Sequence, residues 1–179
     1  RRPNATEFLS FGYSLMGRMR NPRRAVLYVP ASNEKAIAKV SSLACDAVIF
    51  DLEDAVAPAE KVAARERLRK WFAARPQKAP ELIIRVNPLA SELGTEDLLA
   101  ARACAPDAIL LPKGNTPRDI HDFDDMLDES DAPENLKLWI MIETPKAMLN
   151  LGALAEFGRD RAARLDCFVA GTNDLIKET

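Results

Sequence analysis

Six short apolar segments recur along the chain, and helix-forming stretches separate them. Each segment is five residues long and rich in Val, Ile, Leu and Ala, a composition typical of a strand buried on both faces. The segments are Ala25–Val29, Asp46–Phe50, Leu82–Val86, Asp107–Leu111, Leu138–Ile142 and Asp166–Ala170. Strands that alternate with helices predict a parallel sheet joined by right-handed crossovers.

The stretches between these segments contain helix-start signals. Thr116-Pro117 and Thr144-Pro145 each place a threonine cap before a proline at the first helical position. The predicted helices begin near Asn33, Pro58, Thr95, Thr116 and Thr144.

Two architectures share this alternation: an open doubly wound sheet and a closed barrel. The chain has seven glycines and contains neither G-x-G-x-x-G nor G-x-x-x-x-G-K-[ST], so the open sheet lacks its usual nucleotide-binding signature. Polar residues follow nearly every predicted strand, which is typical of barrel enzymes that build their sites at that rim. We therefore predict an α/β fold of the TIM (β/α)8 barrel type.

The number of units sets the expected extent of the barrel. About six βα units are present in 179 residues, whereas a complete barrel has eight units in about 250 residues. We expect residues 1–22 to form an N-terminal extension. We expect residues 23–179 to form a partial barrel that lacks strands seven and eight.

Composition excludes several classes of partner. The formal net charge is −2, which gives no field to attract nucleic acid or an anionic membrane. No apolar run approaches the roughly 18–20 residues that span a bilayer. The three cysteines are isolated and fit reduced core thiols, and His121 lies in a polar run where we expect it to be solvated. We expect a cytoplasmic protein that binds neither nucleic acid nor membrane.

Acidic side chains follow two neighbouring predicted strands. Glu143 ends the fifth strand, and Asp174 follows the sixth. Two carboxylates on adjacent rim positions, with room for waters, suit Mg²⁺, which keeps part of its hydration shell. Acidic residues at strand ends also often cap the next helix, so this pattern alone leaves both interpretations open.

Arg85 interrupts an otherwise apolar predicted strand. A buried arginine is costly unless it meets an anion. That anion is either an interior carboxylate or a carboxylate or enolate oxygen of a substrate. The position of Arg85 near the C-terminal end of its strand favours the substrate clamp.

Further charged residues surround these candidates in the sequence. Asp51-Leu52-Glu53-Asp54 places three carboxylates in four residues, and such groups bind cations, raise one another's pKa or point apart. Lys113 follows the fourth strand and either holds an acidic substrate group or is solvated. Arg24 precedes the first strand, at the opposite end of the barrel, where a surface or subunit-interface role is an alternative to substrate binding.

Six motifs follow one another along the chain: PRRAVLYVP (22–30), DLEDAV (51–56), RVN (85–87), LPK (111–113), IET (142–144) and GTNDL (171–175). Their order and spacing resemble those of the citrate lyase β-subunit-like, or malyl-CoA lyase-like, branch of the HpcH/HpaI aldolase superfamily. The resemblance implies a (β/α)8 barrel, commonly trimeric or hexameric, that makes or cleaves a C–C bond in acyl-thioesters such as citryl-, malyl- or citramalyl-CoA.

The resemblance also implies roles for individual residues. The matching positions are Glu143 and Asp174 as Mg²⁺ ligands, Arg85 at the substrate carbonyl or carboxylate, Glu53 and Asp54 beside the waters of the metal, and Arg24 and Lys113 as further basic substrate contacts. Arg85, Glu53 and Asp54 are thereby the candidate catalytic residues. Relatives usually have glycine at the position of Ala31, and their proton-transfer aspartate lies in a C-terminal segment that we expect this chain to lack.

The resemblance leaves other functions open. A Mg²⁺-dependent aldolase could act on free 2-oxo acids instead of a CoA thioester. A lyase subunit could work with an acyl carrier protein in a larger complex. A barrel-derived binding module without catalysis is the third alternative.

Overall fold

Residues 22–75, 79–160 and 163–178 are described in a computed structural model of the chain. Their strands form a six-stranded parallel sheet. The strands are β1 (Val26–Pro30), β2 (Ala47–Asp51), β3 (Glu81–Arg85), β4 (Ala108–Leu111), β5 (Lys137–Ile142) and β6 (Leu165–Ala170). The six predicted strands are thus confirmed to within one residue at each end.

Helices occupy the stretches between the strands. They are α1 (Glu34–Ala38), α2 (Lys61–Ala73), α3 (Gly94–Cys104), α4 (Pro117–Glu129), α5 (Pro145–Leu149), α6 (Leu151–Phe157) and α7 (Thr172–Glu178). Both Thr-Pro helix starts are confirmed: the hydroxyl of Thr116 accepts from the amide of Asp119, and the hydroxyl of Thr144 accepts from the amide of Ala147. The predicted N-terminal extension lies almost wholly outside the described residues.

The order of the strands identifies the barrel type. In space they run β1-β2-β3-β4-β5-β6, the same order as in the chain. Right-handed crossovers in one direction place every helix on the same face of the sheet, whereas a doubly wound sheet reverses its order and has helices on both faces. The predicted (β/α)8 barrel type of fold is confirmed.

An arginine before β1 shows how strongly the sheet curves. The Arg23 guanidinium donates to Glu81 of β3 at 2.6 Å and to Asp166 of β6 at 2.6 Å. Neighbouring strands lie about 4.8 Å apart, so a flat sheet would separate β1 from β6 by about 24 Å. Arg23 can reach β6 only because the sheet is rolled.

Both faces of the rolled sheet are buried. Phe50, Ile84 and Leu138 face the helices and pack in the larger cluster of the core. Ile49 and Trp139, from the alternate positions of their strands, face the interior of the roll in a second cluster. Strands buried on both faces read as continuous apolar runs, which is why the sequence shows them so clearly.

Cys45, Cys104 and Cys167 are all free of disulfide bonds. His121 is exposed and pairs with Asp125 along α4, as expected for a solvated histidine. In the part of the chain that the structure describes, no helix has both the length and the apolar character needed to cross a membrane.

Candidate active site

A cavity of about 390 Å³ opens at the C-terminal ends of the strands. Residues from β1, β2, β3 and β5 and from the β6–α7 junction line it, so the roll of the sheet brings together side chains that are far apart in sequence. The polar lining residues are Tyr28, Asp51, Asp54, Arg85, Thr172, Asn173, Asp174 and Lys177. Barrel enzymes place their active sites at this rim.

Arg85 is held in this cavity by an ion pair with Asp51. Its Nε donates to Oδ1 at 2.8 Å and its Nη2 donates to Oδ2 at 2.6 Å, and both residues are buried. Nη1 lies 2.8 Å from Glu53 Oε2 and 3.7 Å from Met141 Sδ. The interior carboxylate therefore satisfies two of the three guanidinium nitrogens and fixes the plane of the group.

Asp51 also organises the loop that follows β2. Its Oδ1 accepts from the amide of Glu53 at 2.8 Å, and its Oδ2 accepts from the amide of Ala55 at 3.1 Å. Of the three carboxylates in this loop, those of Asp51 and Glu53 are buried, whereas the side chain of Asp54 is 67% exposed. All three carboxylates lie within 4 Å of the Arg85 guanidinium, and Asp51 and Asp54 help to raise the pKa of Glu53, one of the outcomes expected for clustered like charges.

Glu53 has an unusual protonation equilibrium. Burial raises the pKa of its carboxyl to about 7, nearby Asp54, Glu143 and Asp51 add to the rise, and Arg85 opposes it. Near neutral pH both protonation states are therefore populated.

Glu143 is buried at the end of β5 with one oxygen held and the other left over. Its Oε1 accepts from the amide of Lys113 at 2.8 Å. Its Oε2 is also buried and receives no hydrogen bond from the described residues. A buried acceptor without a donor is uncommon and calls for a bound group such as water or a cation.

Asp174 lies in the first turn of α7 and is electrostatically coupled to Glu143. Its Oδ1 accepts from Lys177 at 2.8 Å, and this bond is the main reason that its pKa is lowered. Burial raises the pKa of Glu143, and Asp174 adds to that rise. A protonated Glu143 can donate to Asp174, so the pair favours a proton on Glu143 when no cation is present.

The chemistry of this pair fits a divalent oxygen-seeking cation. Asp174 lines the cavity, and Glu143, which interacts with it electrostatically, has a free acceptor position at Oε2. Among residues 22–75, 79–160 and 163–178, no group of three or more His, Cys, Asp and Glu side chains could hold a metal. Two protein carboxylates completed by water or ligand oxygens is the arrangement that Mg²⁺ commonly uses.

Lys113 contributes its backbone to the site more directly than its side chain. It has a φ of 54°, in the left-handed region that favours glycine, and this conformation directs its amide to Glu143. The side chain is exposed. Its positive charge opposes the rise in the pKa of Glu143 and adds to the lowering of the pKa of Asp174. The predicted substrate contact of Lys113 stays a prediction.

Arg24 lies at the opposite end of the sheet from the cavity. It precedes β1, and its side chain is 77% exposed and pairs with Asp46 at 3.1 Å. This position agrees with the surface role that the sequence left open. A contact of Arg24 with substrate stays a prediction.

Lys61 is a site residue that the sequence reasoning missed. It begins α2 and is buried, and its ammonium donates to the carbonyl of Leu52 and to the carbonyl of Glu53 at 2.7 Å. A cation at a helix N-terminus opposes the helix dipole. This mismatch in the first turn was the available signal that Lys61 has a local role.

Comparisons with known proteins bear on the family of the chain. A family model described as HpcH/HpaI aldolase/citrate lyase matches residues 24–179. The chain is 41% identical over 163 residues to a (3S)-malyl-CoA thioesterase of Cereibacter sphaeroides, covering 91% of this chain and 53% of the relative. It is 35% identical over 164 residues to the mitochondrial citramalyl-CoA lyase of Homo sapiens, covering 86% and 48%.

A solved structure gives the same fold. The citrate lyase β subunit from M. tuberculosis, complexed with oxaloacetate and magnesium, matches with a TM-score of 0.67 and 28% identity. The match covers 87% of this chain and 62% of that one. The chain spans about half the length of the curated relatives that it matches.

Proposed function

The chain belongs to the HpcH/HpaI aldolase/citrate lyase family, and from this premise we propose that it is a Mg²⁺-dependent carbon–carbon lyase. Its proposed substrate is a 3-hydroxyacyl-CoA such as citryl-, malyl- or citramalyl-CoA. One observation carries the proposal: the fixed guanidinium of Arg85 and the carboxylate of Asp174 line one cavity, and Glu143 adjoins them with an unsatisfied oxygen. The activity and substrates of the whole protein are part of the proposal, because the chain matches about half of each relative.

Glu143 and Asp174 would hold the metal ion. Bound Mg²⁺ would supply Lewis-acid polarisation of substrate oxygens and positive charge for an enolate. The metal in the M. tuberculosis citrate lyase β subunit supports this choice of ion. The amide of Lys113 holds Glu143 Oε1, so that Oε2 stays available for the ion.

Arg85 would stabilise the charge that develops during cleavage. In the cleavage direction a base removes the hydroxyl proton, the C–C bond breaks, and its electron pair passes to the acetyl-thioester as an enolate. A donor that is fixed before the reaction stabilises such charge without reorganisation. Asp51 fixes Arg85 through two bonds, and Nη1, which Glu53 and Asp54 approach at 2.8 and 3.9 Å, is the nitrogen left for an enolate or carboxylate oxygen.

The test is cleavage of malyl-CoA and citramalyl-CoA by the full-length protein, freed of metal and then supplied with Mg²⁺. We expect activity only with the metal, and loss of activity in Glu143→Ala and Asp174→Ala. Arg85→Lys should also be inactive, because an ammonium cannot reproduce the planar fork. Glu156→Ala is the matched control, since Glu156 is exposed on α6 and pairs only locally with Arg159. Normal rates in the Glu143 and Asp174 variants would refute the proposal.

Hydrolysis of the thioester is a second candidate, favoured by the 41% identity to a (3S)-malyl-CoA thioesterase. The products separate the two reactions. Cleavage of malyl-CoA by a lyase gives acetyl-CoA and a 2-oxo acid, whereas hydrolysis gives malate and free CoA. A thiol reagent and a carbonyl reagent, applied to the same reaction, therefore decide between them.

Alternatives for the substrate and for catalysis, and the assembly and partner of the whole protein, can also be tested. An aldolase acting on free 2-oxo acids would show no dependence on CoA, and a binding module would bind Mg²⁺ without turnover. We also propose that the protein is a trimer or hexamer, which sedimentation can test. An acyl carrier protein partner would co-purify with it.

A further inference from the structure

Lys61 has an unusually complete set of neutral acceptors for a buried lysine. Its ammonium, on a residue only 4% exposed, donates to the carbonyls of Leu52 and Glu53 and to Asn87 Oδ1 at 3.2 Å. An ammonium has three N–H donors, and burial is costly unless all of them are used. Here three acceptors match the three donors of the ammonium. Burial disfavours the charged form and lowers the pKa of Lys61.

Two of the three acceptors of Lys61 belong to the acidic loop that follows β2, residues 52–56. The amide of Leu52 donates to the carbonyl of Arg85 at 2.9 Å, and the amide of Glu53 donates to Asp51 at 2.8 Å. Lys61 binds the carbonyls of Leu52 and Glu53, so the backbone of both residues is held at N–H and at C=O. The side chain of Glu53 is thereby kept 2.8 Å from Arg85 Nη1.

A network of buried hydrogen bonds in turn fixes the end of β3 and the acceptors of Lys61. Asn87 Nδ2 donates to the carbonyl of Leu52 at 3.0 Å and to Asp97 at 2.5 Å. Asp97, which is fully buried in α3, also accepts from Arg65 of α2 at 2.6 Å. Side chains of α2 and α3 that do not line the cavity therefore hold this loop in place.

We propose that Lys61 is a positioning residue that fixes the peptide groups of Leu52 and Glu53, and so holds Glu53 against Arg85 Nη1 at the mouth of the cavity. Its effect on turnover rests on the proposed lyase function. Its effect on the loop does not. Lys61 is placed to act through Glu53 and Arg85, without contact with a substrate.

The experiment compares full-length wild type with Lys61→Met, a substitution of similar length without donors. Amide hydrogen exchange over residues 52–56 measures the loop, and steady-state kinetics with malyl-CoA measure its consequence. We expect faster exchange in this segment and a kcat lower by roughly 10- to 100-fold, as is typical when support behind a site is removed. KM should change little, because Arg85 Nη1 acts mainly on charge that forms in the transition state.

Arg164→Met is the matched control. Arg164 is a second buried cation, 9% exposed, that binds Asp124 at 2.9 Å and the carbonyl of Pro133 at 2.6 Å, away from the acidic loop. It should destabilise the protein yet leave exchange in residues 52–56 and kcat unchanged. Lys61→Gln keeps one donor group and provides a second test in case Lys61→Met does not fold. It should give intermediate changes in amide exchange and in kcat.

Unchanged exchange in residues 52–56 of Lys61→Met would overturn the proposal, and so would faster exchange with an unchanged kcat. Equal losses of kcat in Lys61→Met and Arg164→Met would reduce the effect to general destabilisation and would also overturn it. If wild type cleaves no thioester, the lyase function fails, and the exchange data alone still decide whether Lys61 fixes the loop.

Discussion

Glu143 shows at the residue scale how the chain keeps an oxygen atom available. The left-handed backbone of Lys113 directs an amide at Oε1, and Oε2 is left without a donor among the described residues. Gly171 lies against the same side chain, where a Cβ would come within 2.5 Å of Glu143 Cβ and 3.0 Å of Oε2. A side chain at position 171 would therefore displace the carboxylate.

Gly171→Ala should lower the affinity for Mg²⁺ by roughly 10- to 100-fold, the range found when groups that orient a metal ligand are altered. Titration calorimetry of the full-length protein measures the change. Gly152→Ala is the control, because no atom of the described residues lies within 4 Å of a Cβ added there, and alanine favours the helix. Equal Mg²⁺ affinity in Gly171→Ala and wild type would contradict this prediction.

Glu53 predicts a pH dependence of stability. Its folded pKa of about 7 exceeds its ordinary value of 4.5, so between these pH values the native state binds the additional proton. The free energy of unfolding should therefore fall as the pH rises from 5 to 8, by on the order of 2–3 kcal/mol from this group. Glu53→Gln should lack that part of the decline, as measured by urea unfolding in a chelator. Parallel pH profiles for both proteins would contradict it.

The residues of the site were predictable to different degrees. Arg85, Glu143 and Asp174 stand out because charged groups inside or just after apolar strands have few explanations. Predicting the ion pair of Arg85 with Asp51 required the register of β2 and β3, in which these two residues are directly paired. Lys61 was missed because a lysine near a helix start ordinarily lies in solvent.

At the scale of elements, strands were easier to predict than helix starts. Strands buried on both faces are marked by composition alone, whereas a helix start depends on a few local bonds. Pro58 begins a short 3-10 turn (Pro58–Glu60), and α2 starts only at Lys61. Likewise α3 was predicted to begin near Thr95. It begins at Gly94, and no side chain caps it.

Two of the threonines near helix starts, Thr116 and Thr95, should differ in their contribution to stability. Thr116 and Asp119 form a reciprocal capping box at α4, whereas Thr95 forms no cap at α3. Thr116→Ala should lower the free energy of unfolding by about 1 kcal/mol, the usual cost of removing a cap. Thr95→Ala should change it little. Urea unfolding monitored by circular dichroism measures both, and equal effects would contradict the difference.

At the scale of the whole molecule, the curvature of the sheet decides what the sequence can reveal. The alternation of strands and helices predicts parallel pairing, and the polar strand ends favour a barrel. The roll of the sheet, however, brings together residues such as Arg23 and Asp166, which are 143 positions apart. Sequence periodicity contains no information on such pairs, so the ion pairs of Arg23 could not be predicted.

Arg23 should accordingly be a determinant of stability. Its guanidinium binds Glu81 and Asp166 at the end of the roll opposite the cavity, and it lies 4.5 Å from the ring centroid of Trp139. Arg23→Met leaves both carboxylates without that cation in a half-buried setting, which should lower the free energy of unfolding by about 2–3 kcal/mol.

Urea unfolding of the full-length protein measures the loss, and Arg118→Met is the matched control. Arg118 also pairs with an aspartate, Asp122, but its side chain is 80% exposed, so water replaces the interaction and little stability should be lost. Mg²⁺ affinity should be unchanged in both variants, because Arg23 lies far from Glu143 and Asp174 along the strands. If Arg23→Met were as stable as Arg118→Met, the ion pairs across the roll would not contribute to the stability of the rolled sheet.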